Sequence, residues 1–296
     1  MENLGYYNGT FGLLDEMTVP FNDRVHFFGD GVYEAGPAHN HKIFALEEHI
    51  DRMFRSAAAL EINIPHTKAE LADILCDMVK RVDSPDQFVY WQVTRGTAPR
   101  NHVFPEGMQG NLWISLKPAK LKDLSASYTA ITAEDTRFFH CNIKTLNLIP
   151  AVMYSQMAER AGVYETILYR KPSVGDDTPV GACRVTECAH SNVHIINERG
   201  ALQTAPTDRL ILPGIARAHI IKACRALNIE VEEAPFTVDK LMSAREVVIS
   251  SASALALHCT CIDGTPVGGR AEDTLRRIQS AVWEEFMQAT EGPCHA

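Results

Sequence analysis

Hydrophobic and polar positions repeat along the chain with two different spacings, which predicts a protein that contains both helices and strands. Apolar residues return every three or four positions from Leu46 to Ala57 and again from Leu71 to Val82, the spacing of amphipathic helices. Short apolar or alternating runs bounded by turn residues predict strands. The predicted strands are residues 5–10, 32–35, 88–94, 111–116, 128–133, 163–169, 193–197, 229–233, 246–250 and 257–262, and the later helices are residues 149–161, 215–227 and 271–289.

The order of these elements favours a mixed α/β protein of the α+β kind over a doubly wound sheet. Hairpins are predicted in both halves, and strands do not alternate regularly with helices. Gly29, Gly31 and Gly36 lack the spacing of a dinucleotide-binding loop and precede a strand. A basic segment with proline and no periodicity, KPAKLKDLSAS, indicates a linker. The predicted division is a small N-terminal α/β domain at 1–118, an interdomain linker at 119–127 and a large C-terminal domain at 128–296.

The charge balance narrows the range of partners. The 296 residues carry a formal net charge of -9, with 46% hydrophobic and 22% charged positions. An acidic protein is not drawn to nucleic acid or to an anionic membrane surface, so neither is expected as a partner. Small anionic substrates would need a local cationic pocket. The sequence has no apolar stretch of signal-peptide or membrane-span length, which predicts a cytoplasmic location.

The eight cysteines show no Cys-x-x-Cys pair and no Cys and His spacing typical of zinc sites. They are expected to be reduced and mostly buried thiols. His39 with His41, and His190 with His194, lack carboxylates or cysteines at ligand spacing. No bound metal is therefore expected.

The stretch CNIKTLNLIPAV, residues 141–152, places Lys144 in an apolar run that is expected to lead from a strand into a helix. A buried ammonium is costly and responds by losing its proton, so such a lysine either extends its tip to water or takes part in chemistry. Considered alone, Lys144 favours the first interpretation, because most lysines only pack their stems. Its role depends on which other groups accompany it.

Two segments have the character of phosphate sites. In LILPGIARAHIIKACRAL, residues 210–227, a Pro-Gly turn opens a helix at Ile215, where free N–H groups and the positive end of the helix dipole would meet an anion. The segment ISSASA, residues 249–254, places small hydroxyl residues after a strand. Each segment is equally typical of an ordinary turn.

Three further groups complement these segments in charge. Glu187, within RVTECAHSNVHI, either holds a pyridine nitrogen in its protonated form or is a simple turn acid. Arg52 lies off the apolar stripe of its helix and is either a solvated cation or a phosphate contact. Arg95, Arg100 and His102 cluster within RGTAPRNH, where they could bind a carboxylate. Together the five features suggest a site for pyridoxal 5'-phosphate (PLP).

The same segments resemble the fold type IV PLP-dependent aminotransferases, and within them the D-amino acid transaminases. The likeness runs from about Tyr6 to the C-terminal helix, which is nearly the whole chain. Single motifs are generic, but their order is very specific. The motifs are FGDGVYE at 28–34, HIDRMFRSA at 49–57, QVTRGTAPRNH at 92–102, CNIKTLNL at 141–148, VTECAHSNV at 185–193 and LILPGIAR at 210–217.

The resemblance implies a role for each candidate residue. Lys144 would bond to PLP as a Schiff base and then move the α-proton of the substrate, while Glu187 would bind the pyridine nitrogen. Leu212 would lie against the cofactor ring. The implied phosphate contacts are Arg52, Ile215, Ala216, Ser251 and Ala252, and the implied carboxylate trap is Tyr33 with Arg100 and His102. The last two would come from the neighbouring subunit, so a homodimer with a shared active site is implied.

By this resemblance the protein transfers the amino group of a D-amino acid, such as D-alanine, to a 2-oxo acid, such as 2-oxoglutarate. The Arg-x-His pairing in RGTAPRNH favours D-selective enzymes over the branched-chain aminotransferases and aminodeoxychorismate lyases of the same fold. Two alternatives stay open. One is another reaction on the same fold, by an (R)-amine or branched-chain transaminase or an aminodeoxychorismate lyase, and the other is a non-catalytic protein that binds the cofactor or an anion.

Several positions depart from the family that the chain resembles. Ala216 and Ala252 stand where a threonine is usual, so two hydroxyl contacts with the phosphate are lacking. Cys188 and His190 replace small residues after the candidate glutamate and could alter the pocket near the ring. The segment KPSVGDDTPVGACR, residues 171–184, is longer than the usual hairpin there.

Overall fold

The structure, a computed structural model, describes residues 3–173 and 177–292. The described chain divides into two compact units. The first contains the residues up to Leu121, the segment 143–147 and the residues from Phe286 onward. The second contains Lys122–Asn142 and Leu148–Glu285. The domain boundaries drawn from the sequence stay a prediction.

An antiparallel sheet of six strands forms the centre of the first unit. Its strands are β1 (Leu4–Tyr7), β2 (Thr10–Gly12), β3 (Gly31–His39), β4 (Lys42–Ile43), β5 (Gln87–Thr94) and β6 (Asn111–Pro118). Their order in space is β2-β1-β6-β5-β3-β4. The helices of this unit are α1 (Val25–Phe28), α2 (Leu46–Ala59) and α3 (Lys68–Lys80).

The two longer helices of the first unit bury the apolar faces that the sequence predicted. Ile50 and Met53 of α2, and Leu71 and Leu75 of α3, are at most 2% exposed and join one hydrophobic core with the sheet. A capping box at Thr67 begins α3, because the Thr67 hydroxyl accepts from the N–H of the third helical residue, whose carboxylate accepts in return. These predictions of helix position and orientation are confirmed.

The strand predicted at residues 5–10 is instead a hairpin. Asn8 and Gly9 have φ values of 43° and 94°, so both residues between β1 and β2 are in the left-handed region. A two-residue turn with positive φ at both positions matches the twist of the paired strands, and Asn-Gly is its preferred sequence. The prediction of one strand was wrong because it did not use this turn signal.

The second unit contains a larger, mixed sheet. Its strands are β7 (Ser127–Glu134), β8 (Glu165–Arg170), β9 (Arg184–Cys188), β10 (Asn192–Ile196), β11 (Leu202–Thr204), β12 (Val231–Glu233), β13 (Glu246–Ser250), β14 (Leu257–Ile262) and β15 (Thr265–Pro266). The order in space is β12-β11-β10-β13-β14-β7-β8-β9, with β15 paired to β14. The remaining helices are α4 (Ile149–Ala161), α5 (Ile215–Ala226), α6 (Val238–Met242) and α7 (Glu272–Ala289).

Three pairs of neighbouring strands in this sheet are parallel, β7 with β8, β7 with β14, and β11 with β12, whereas the other pairs are antiparallel. This arrangement is the mixed α/β class that the sequence predicted. The predicted bounds of α4, β13 and β14 agree with the structure. The strands β9 and β11 were not predicted, because polar residues interrupt β9 and the three residues of β11 carry too little periodicity.

A buried histidine gives the second unit a testable dependence on pH. His194 is fully buried between the hydroxyls of Thr204 and Ser250, at 2.9 and 2.8 Å. Burial, and secondarily the Arg217 cation, lower its pKa from 6.5 to about 3. Because the unfolded chain then binds the proton more readily, the stability that neutral His194 contributes is complete above pH 6.5 and is lost as the pH falls towards 3.

We expect urea unfolding to show the free energy of unfolding decreasing by up to about 1.4 kcal/mol per pH unit from this one group below pH 6.5. The variant His194→Gln should have a shallower decrease than the native protein over that range. Exposed His140 provides the matched control, His140→Gln, which should keep the native slope. Equal slopes for all three proteins would contradict the prediction.

Candidate active site

Lys144 lies in the segment 143–147, which runs beside the beginning of β3 in the first unit. The N–H of Tyr33 donates to the Lys144 carbonyl at 3.0 Å, and the N–H of Lys144 donates to Ser56 Oγ at 3.2 Å. The sequence pattern predicted a strand here, and that prediction was wrong, because the segment forms an isolated bridge between Thr145 and Val32 and not a regular strand. Its backbone is nevertheless fixed by β3 on one side and α2 on the other.

The amine of Lys144 faces an aromatic ring and not a carboxylate. Its Nζ lies 4.2 Å from the centroid of the Tyr33 ring, and that ring is stacked on the Tyr90 ring with their centroids 5.4 Å apart. Within the described residues, Nζ makes no hydrogen bond and no ion pair. A ring attracts a cation less strongly than a carboxylate does, so the amine is positioned without being engaged. Such a placement suits an amine that must react.

Arg52 is held in a buried cluster and is not the solvated cation that one interpretation of the sequence allowed. Its Nε and Nη2 donate to the two carboxylate oxygens of Glu34, each at 2.7 Å, and His49 Nδ1 lies 2.7 Å from the same carboxylate. Burial alone would raise the pKa of Glu34, but Arg52 and His49 together lower it to about 2. The guanidinium is therefore rigidly placed on α2, and its phosphate contact stays a prediction.

The loop that begins after β5 contains Arg95, Arg100 and His102, the cluster that could bind a carboxylate, and the structure gives Arg95 different surroundings from the other two. Arg95 is buried and donates to Asp30 and to two backbone carbonyls, so it is a structural residue. Arg100 and His102 are exposed and lie together around Phe28, with the Arg100 Cζ 5.4 Å and the His102 ring 5.2 Å from its centroid. These two side chains are free to meet a ligand from outside the loop.

Glu187 lies on β9, one residue before its end, and is 6% exposed, so it is not the acid of an exposed turn that the alternative interpretation allowed. Its Oε2 accepts from Asn192 Nδ2 at 2.9 Å and from the N–H of Leu212 at 3.0 Å. Its Oε1 accepts from Arg137 Nη1. Burial raises the pKa of Glu187, and the Arg137 cation opposes that rise. The carboxylate is thus fixed in orientation by three donors.

Arg137 is a functional candidate that sequence reasoning missed. Its Nε and Nη2 donate to the two oxygens of buried Asp135, at 2.9 and 2.8 Å, while Nη2 also donates to the Leu210 carbonyl at 3.2 Å. Arg170 and Thr186 donate to Asp135 as well. One guanidinium therefore joins Glu187 to Asp135. It lies in an irregular loop, where no periodicity marks a buried side chain.

Helix α5 begins as a phosphate site requires. Its N-cap is Gly214, which has no side chain to cap the first N–H groups, so those of Ile215 and Ala216 point out of the helix end. A Cβ atom at position 214 would lie 2.0 Å from Asn192 Oδ1. Gly214 therefore lets the amide that holds Glu187 pack directly against the beginning of the helix.

This contact predicts that Gly214→Ala displaces Asn192 and costs about 1–3 kcal/mol of unfolding free energy, measured by urea unfolding. The matched control is the same substitution made together with Asn192→Ala, which removes the atom that clashes. In that background the added methyl group should cost less. An equal cost in both backgrounds would contradict the prediction.

The other predicted residues of the second unit lie on two turns. Leu212 is half-buried beside Glu187, and Asn192 Nδ2 also donates to its carbonyl at 3.2 Å. Ser251 and Ala252 follow β13 in a turn where the Ser251 carbonyl accepts two N–H groups, at 3.1 and 2.9 Å. Cys188 points into the hydrophobic core and not into a pocket, so its predicted effect near the ring is not supported.

Other sequence-based expectations concern thiols, metals and membranes. Six described cysteines are free, but Cys76 is disulfide-bonded, so the expectation of reduced thiols was wrong at that position, and Cys294 lies outside the described residues. Across residues 3–173 and 177–292, no three His, Cys, Asp or Glu side chains are grouped to hold a metal ion. None of the helices in those ranges has the length and apolarity needed to cross a bilayer.

Comparison with known protein families shows which family contains a chain with these residues. Residues 31–262 match the family described as amino-transferase class IV, which spans both units. The chain belongs to the class IV aminotransferases. The family that the sequence motifs of this class IV aminotransferase indicated is therefore confirmed.

Relatives of this class IV aminotransferase match it over nearly the whole chain. It is 35% identical to a D-alanine aminotransferase of Bacillus licheniformis, across 96% of this chain and 97% of the relative. It is 40% identical to a D-alanine aminotransferase of Listeria monocytogenes, across 93% of each. The solved branched-chain amino acid aminotransferase of Escherichia coli has a similar fold, with a TM-score of 0.85 and 23% identity over 98% of this chain and 96% of that one. The predicted fold type IV architecture is confirmed.

Proposed function

We propose that this aminotransferase moves the amino group of a D-amino acid, such as D-alanine, to a 2-oxo acid, such as 2-oxoglutarate. The observation that carries the proposal is the 35% and 40% identity to two D-alanine aminotransferases over at least 93% of the chain. The branched-chain alternative has a likeness of fold at 23% identity, which does not identify a substrate.

We propose PLP as the cofactor, because the polar groups present fit its phosphate, its ring nitrogen and its carbonyl carbon. The uncapped N–H groups at the beginning of α5 suit a phosphate, Glu187 suits a ring nitrogen, and the unengaged Lys144 amine suits a carbonyl carbon. Arg52, Leu212, Ser251 and Ala252 complete the proposed contacts. When bound, PLP supplies an electron-withdrawing ring that stabilises negative charge on the α-carbon of the substrate.

Lys144 has two roles in the proposal. Its Nζ would hold the cofactor covalently, and its free amine would act as the general base that takes the α-proton of the substrate. Both roles need a well-defined position, which the backbone bonds to Tyr33 and Ser56 provide. The Tyr33 ring beneath Nζ limits where the amine can move.

Glu187 keeps the ring nitrogen protonated in the proposal. A carboxylate that accepts from Arg137, Asn192 and the N–H of Leu212 cannot turn away from its ligand. Burial raises the pKa of Glu187 and thereby favours the neutral acid, whereas the positive charge of Arg137 lowers that pKa. The positive charge of a protonated ring nitrogen would act in the same direction as Arg137 and favour the ionised form. An ionised Glu187 in turn stabilises the protonated ring nitrogen, and the protonated ring is the form of the cofactor that withdraws electrons.

The direct test of D-selectivity is a half-reaction without a 2-oxo acid. Protein loaded with PLP is mixed with D-alanine, L-alanine or L-leucine, and the absorbance band of the lysine-bound cofactor is followed. We expect the band to be lost with D-alanine only, because one fixed lysine reaches one face of the substrate. A response to L-leucine alone would favour the branched-chain alternative. A bound cofactor that responds to no amine would favour the non-catalytic alternative.

We further propose that the partner subunit's Arg100 and His102 complete the carboxylate trap with Tyr33, so that the active enzyme is a homodimer. Both residues are exposed on one loop and accessible to a second copy. Helix α4 supports the dimer, because it is apolar on two faces. Tyr154 and Ala158 pack inward, while Ile149, Val152, Met153 and Met157 are between 40% and 75% exposed. Such a contiguous patch is typical of an interface.

Complementation between two inactive variants tests the shared site. One subunit carries Lys144→Ala and the other carries Arg100→Ala with His102→Ala, and the two are co-expressed. A mixed dimer has one site with all native residues, so random pairing should restore about a quarter of the native activity. Each variant expressed alone is the control. No restored activity in isolated mixed dimers would contradict the shared trap.

A cytoplasmic location is the last part of the proposal. Six of the seven described cysteines are free, which fits a reducing compartment, whereas the disulfide bond of Cys76 is unusual for one. Fractionation of the native cells with an antibody against the protein tests this location, and recovery in a secreted or membrane fraction would contradict it.

A further inference from the structure

Arg24 is a buried arginine that binds the backbone of the loop in which Arg100 and His102 lie. It is the N-cap residue of α1 and is 2% exposed. Its Nη1 donates to the Asn101 carbonyl at 2.6 Å, and its Nη2 donates a longer bond to the His102 carbonyl at 3.4 Å. Asn101 stands between the two exposed residues of the proposed carboxylate trap. One guanidinium therefore holds the backbone from which both trap side chains extend.

Residues 99–107, which we call the trap loop, contain no helix or strand. Within residues 3–173 and 177–292, the hydrogen bonds that join the trap loop to the rest of the chain are the two that Arg24 donates. The bond from the Val103 N–H to the Asn101 side chain, at 3.3 Å, stays inside the loop. A loop without regular structure keeps one conformation only where specific contacts hold it. Loss of Arg24 would therefore release this backbone.

The Arg24 guanidinium is itself fixed by two more contacts. Its Nε donates to Asp30 Oδ2 at 2.8 Å, and its Cζ lies 4.9 Å from the centroid of the Phe28 ring. Arg100 and His102 contact the same ring. The planar fork of an arginine can bond a carboxylate and two carbonyls at once, whereas the single ammonium of a lysine cannot reproduce that geometry. The contact with the trap loop thus needs an arginine and not merely a cation.

We propose that Arg24 is a positioning residue for the substrate carboxylate, because it sets the direction in which Arg100 and His102 leave the trap loop. This inference rests on the proposed function. Charge-assisted bonds to a carboxylate have strict geometry, so a trap displaced by about 1 Å loses affinity for it. In the proposed homodimer the trap loop of one subunit completes the site of the other. Each Arg24 therefore acts on the active site of the partner subunit.

Arg95 is the matched control, because it is buried against the same carboxylate as Arg24. It is 7% exposed, donates to both oxygens of Asp30 at 3.0 and 2.9 Å, and donates to two backbone carbonyls that follow α2. Its Cζ packs on the side chain of Phe104, but within the described residues it donates to no backbone group of the trap loop. Replacing Arg95 removes a buried ion pair without releasing the backbone beside the trap.

The half-reaction of the PLP-loaded protein with D-alanine tests the inference. Its single-turnover rate, followed over a range of D-alanine concentrations, gives an apparent Kd for D-alanine and a maximal rate. We expect Arg24→Gln to raise this Kd about tenfold and to keep the maximal rate within about twofold, because carboxylate binding is lost and the reacting groups are intact. Arg24→Lys retains a cation beside Asp30 to protect the fold, and it should raise the Kd about fivefold. The same two substitutions at Arg95 should leave the Kd within about twofold.

Mixed dimers identify the subunit on which Arg24 acts. A subunit with Arg24→Gln is co-expressed with a subunit with Lys144→Ala, and the mixed dimers are isolated through two different tags. The one site that retains Lys144 then takes its trap loop from the subunit with native Arg24. Its apparent Kd for D-alanine should therefore be native. A raised Kd in these dimers would overturn the inference.

The other outcomes separate the inference from the proposed function. A native Kd for D-alanine in both Arg24 variants, or an equal rise in the Arg95 variants, would overturn the inference while leaving the proposed function intact. A loss confined to the maximal rate would overturn it as well, because carboxylate binding would then be unaffected. A native protein whose bound cofactor does not respond to D-alanine would instead overturn the proposed function.

Discussion

Replacing Lys144 with alanine is expected to lower the turnover of D-alanine by at least about 10²–10⁴-fold, the range that a positioned general base alone contributes. The loss should be larger still, because the same amine is proposed to hold the cofactor covalently. The fold should tolerate the change, since Nζ makes no hydrogen bond or ion pair within the described residues. Single-turnover rates and urea unfolding of the PLP-loaded variant separate the two effects.

Lys68→Ala is the matched control for this variant, because Lys68 lies on the same unit but is exposed and paired with Asp51 at 2.7 Å. It should keep native turnover. A small primary amine added to Lys144→Ala should restore part of the activity, since only an amine is missing. If the variant turned over within tenfold of the native rate and unfolded like the native protein, the proposed catalytic role of Lys144 would be wrong.

Replacing Arg137 with leucine is expected to cost about 3–5 kcal/mol of unfolding free energy, the usual result of removing one partner from a buried ion pair. Two carboxylates would be left without their main cation, Asp135 and Glu187, which are both 6% exposed. The orientation of Glu187 would also be lost, so the affinity for PLP should fall. Urea unfolding and PLP titration measure the two results.

Neutralising the two carboxylates tests how much of the destabilisation in Arg137→Leu comes from unpaired buried charge. Arg137→Leu combined with Asp135→Asn and Glu187→Gln should be more stable than Arg137→Leu alone, because neutral amides are cheaper to bury than unpaired carboxylates. Arg199→Leu is the control, since Arg199 pairs with Glu232 in the same unit but is 67% exposed, and it should cost at most about 1 kcal/mol. Equal costs for the two arginine variants would contradict the assigned role of Arg137.

Much of the fold could be predicted from the sequence where the hydrophobic period is long. The apolar stripes of α2 and α3, and the beginning of α5 at Ile215, were found because they repeat over several turns or carry a Pro-Gly signal. The hairpin at Asn8 and Gly9 shows the opposite case, in which two residues with positive φ override a run that reads as one strand.

The candidate site could be predicted only in part, because side-chain partners distant in sequence leave no local pattern. The residues next to Arg52 in the chain do not indicate that it forms an ion pair with Glu34, 18 positions away. In the same way, the residues next to Arg95 do not indicate that it donates to Asp30, 65 positions away. Arg137 reaches Glu187 across 50 positions from an irregular loop. No local pattern marks Arg137 as buried, since the two phenylalanines that follow it, Phe138 and Phe139, are themselves 63% and 62% exposed.

The most direct test of the central claim is chemical labelling of the amine that holds the cofactor. The protein is loaded with PLP, reduced with borohydride, digested and sequenced by mass spectrometry. We predict that the phosphopyridoxyl group is found on Lys144. A label on another lysine, or no label on a protein that was saturated with PLP, would contradict the account.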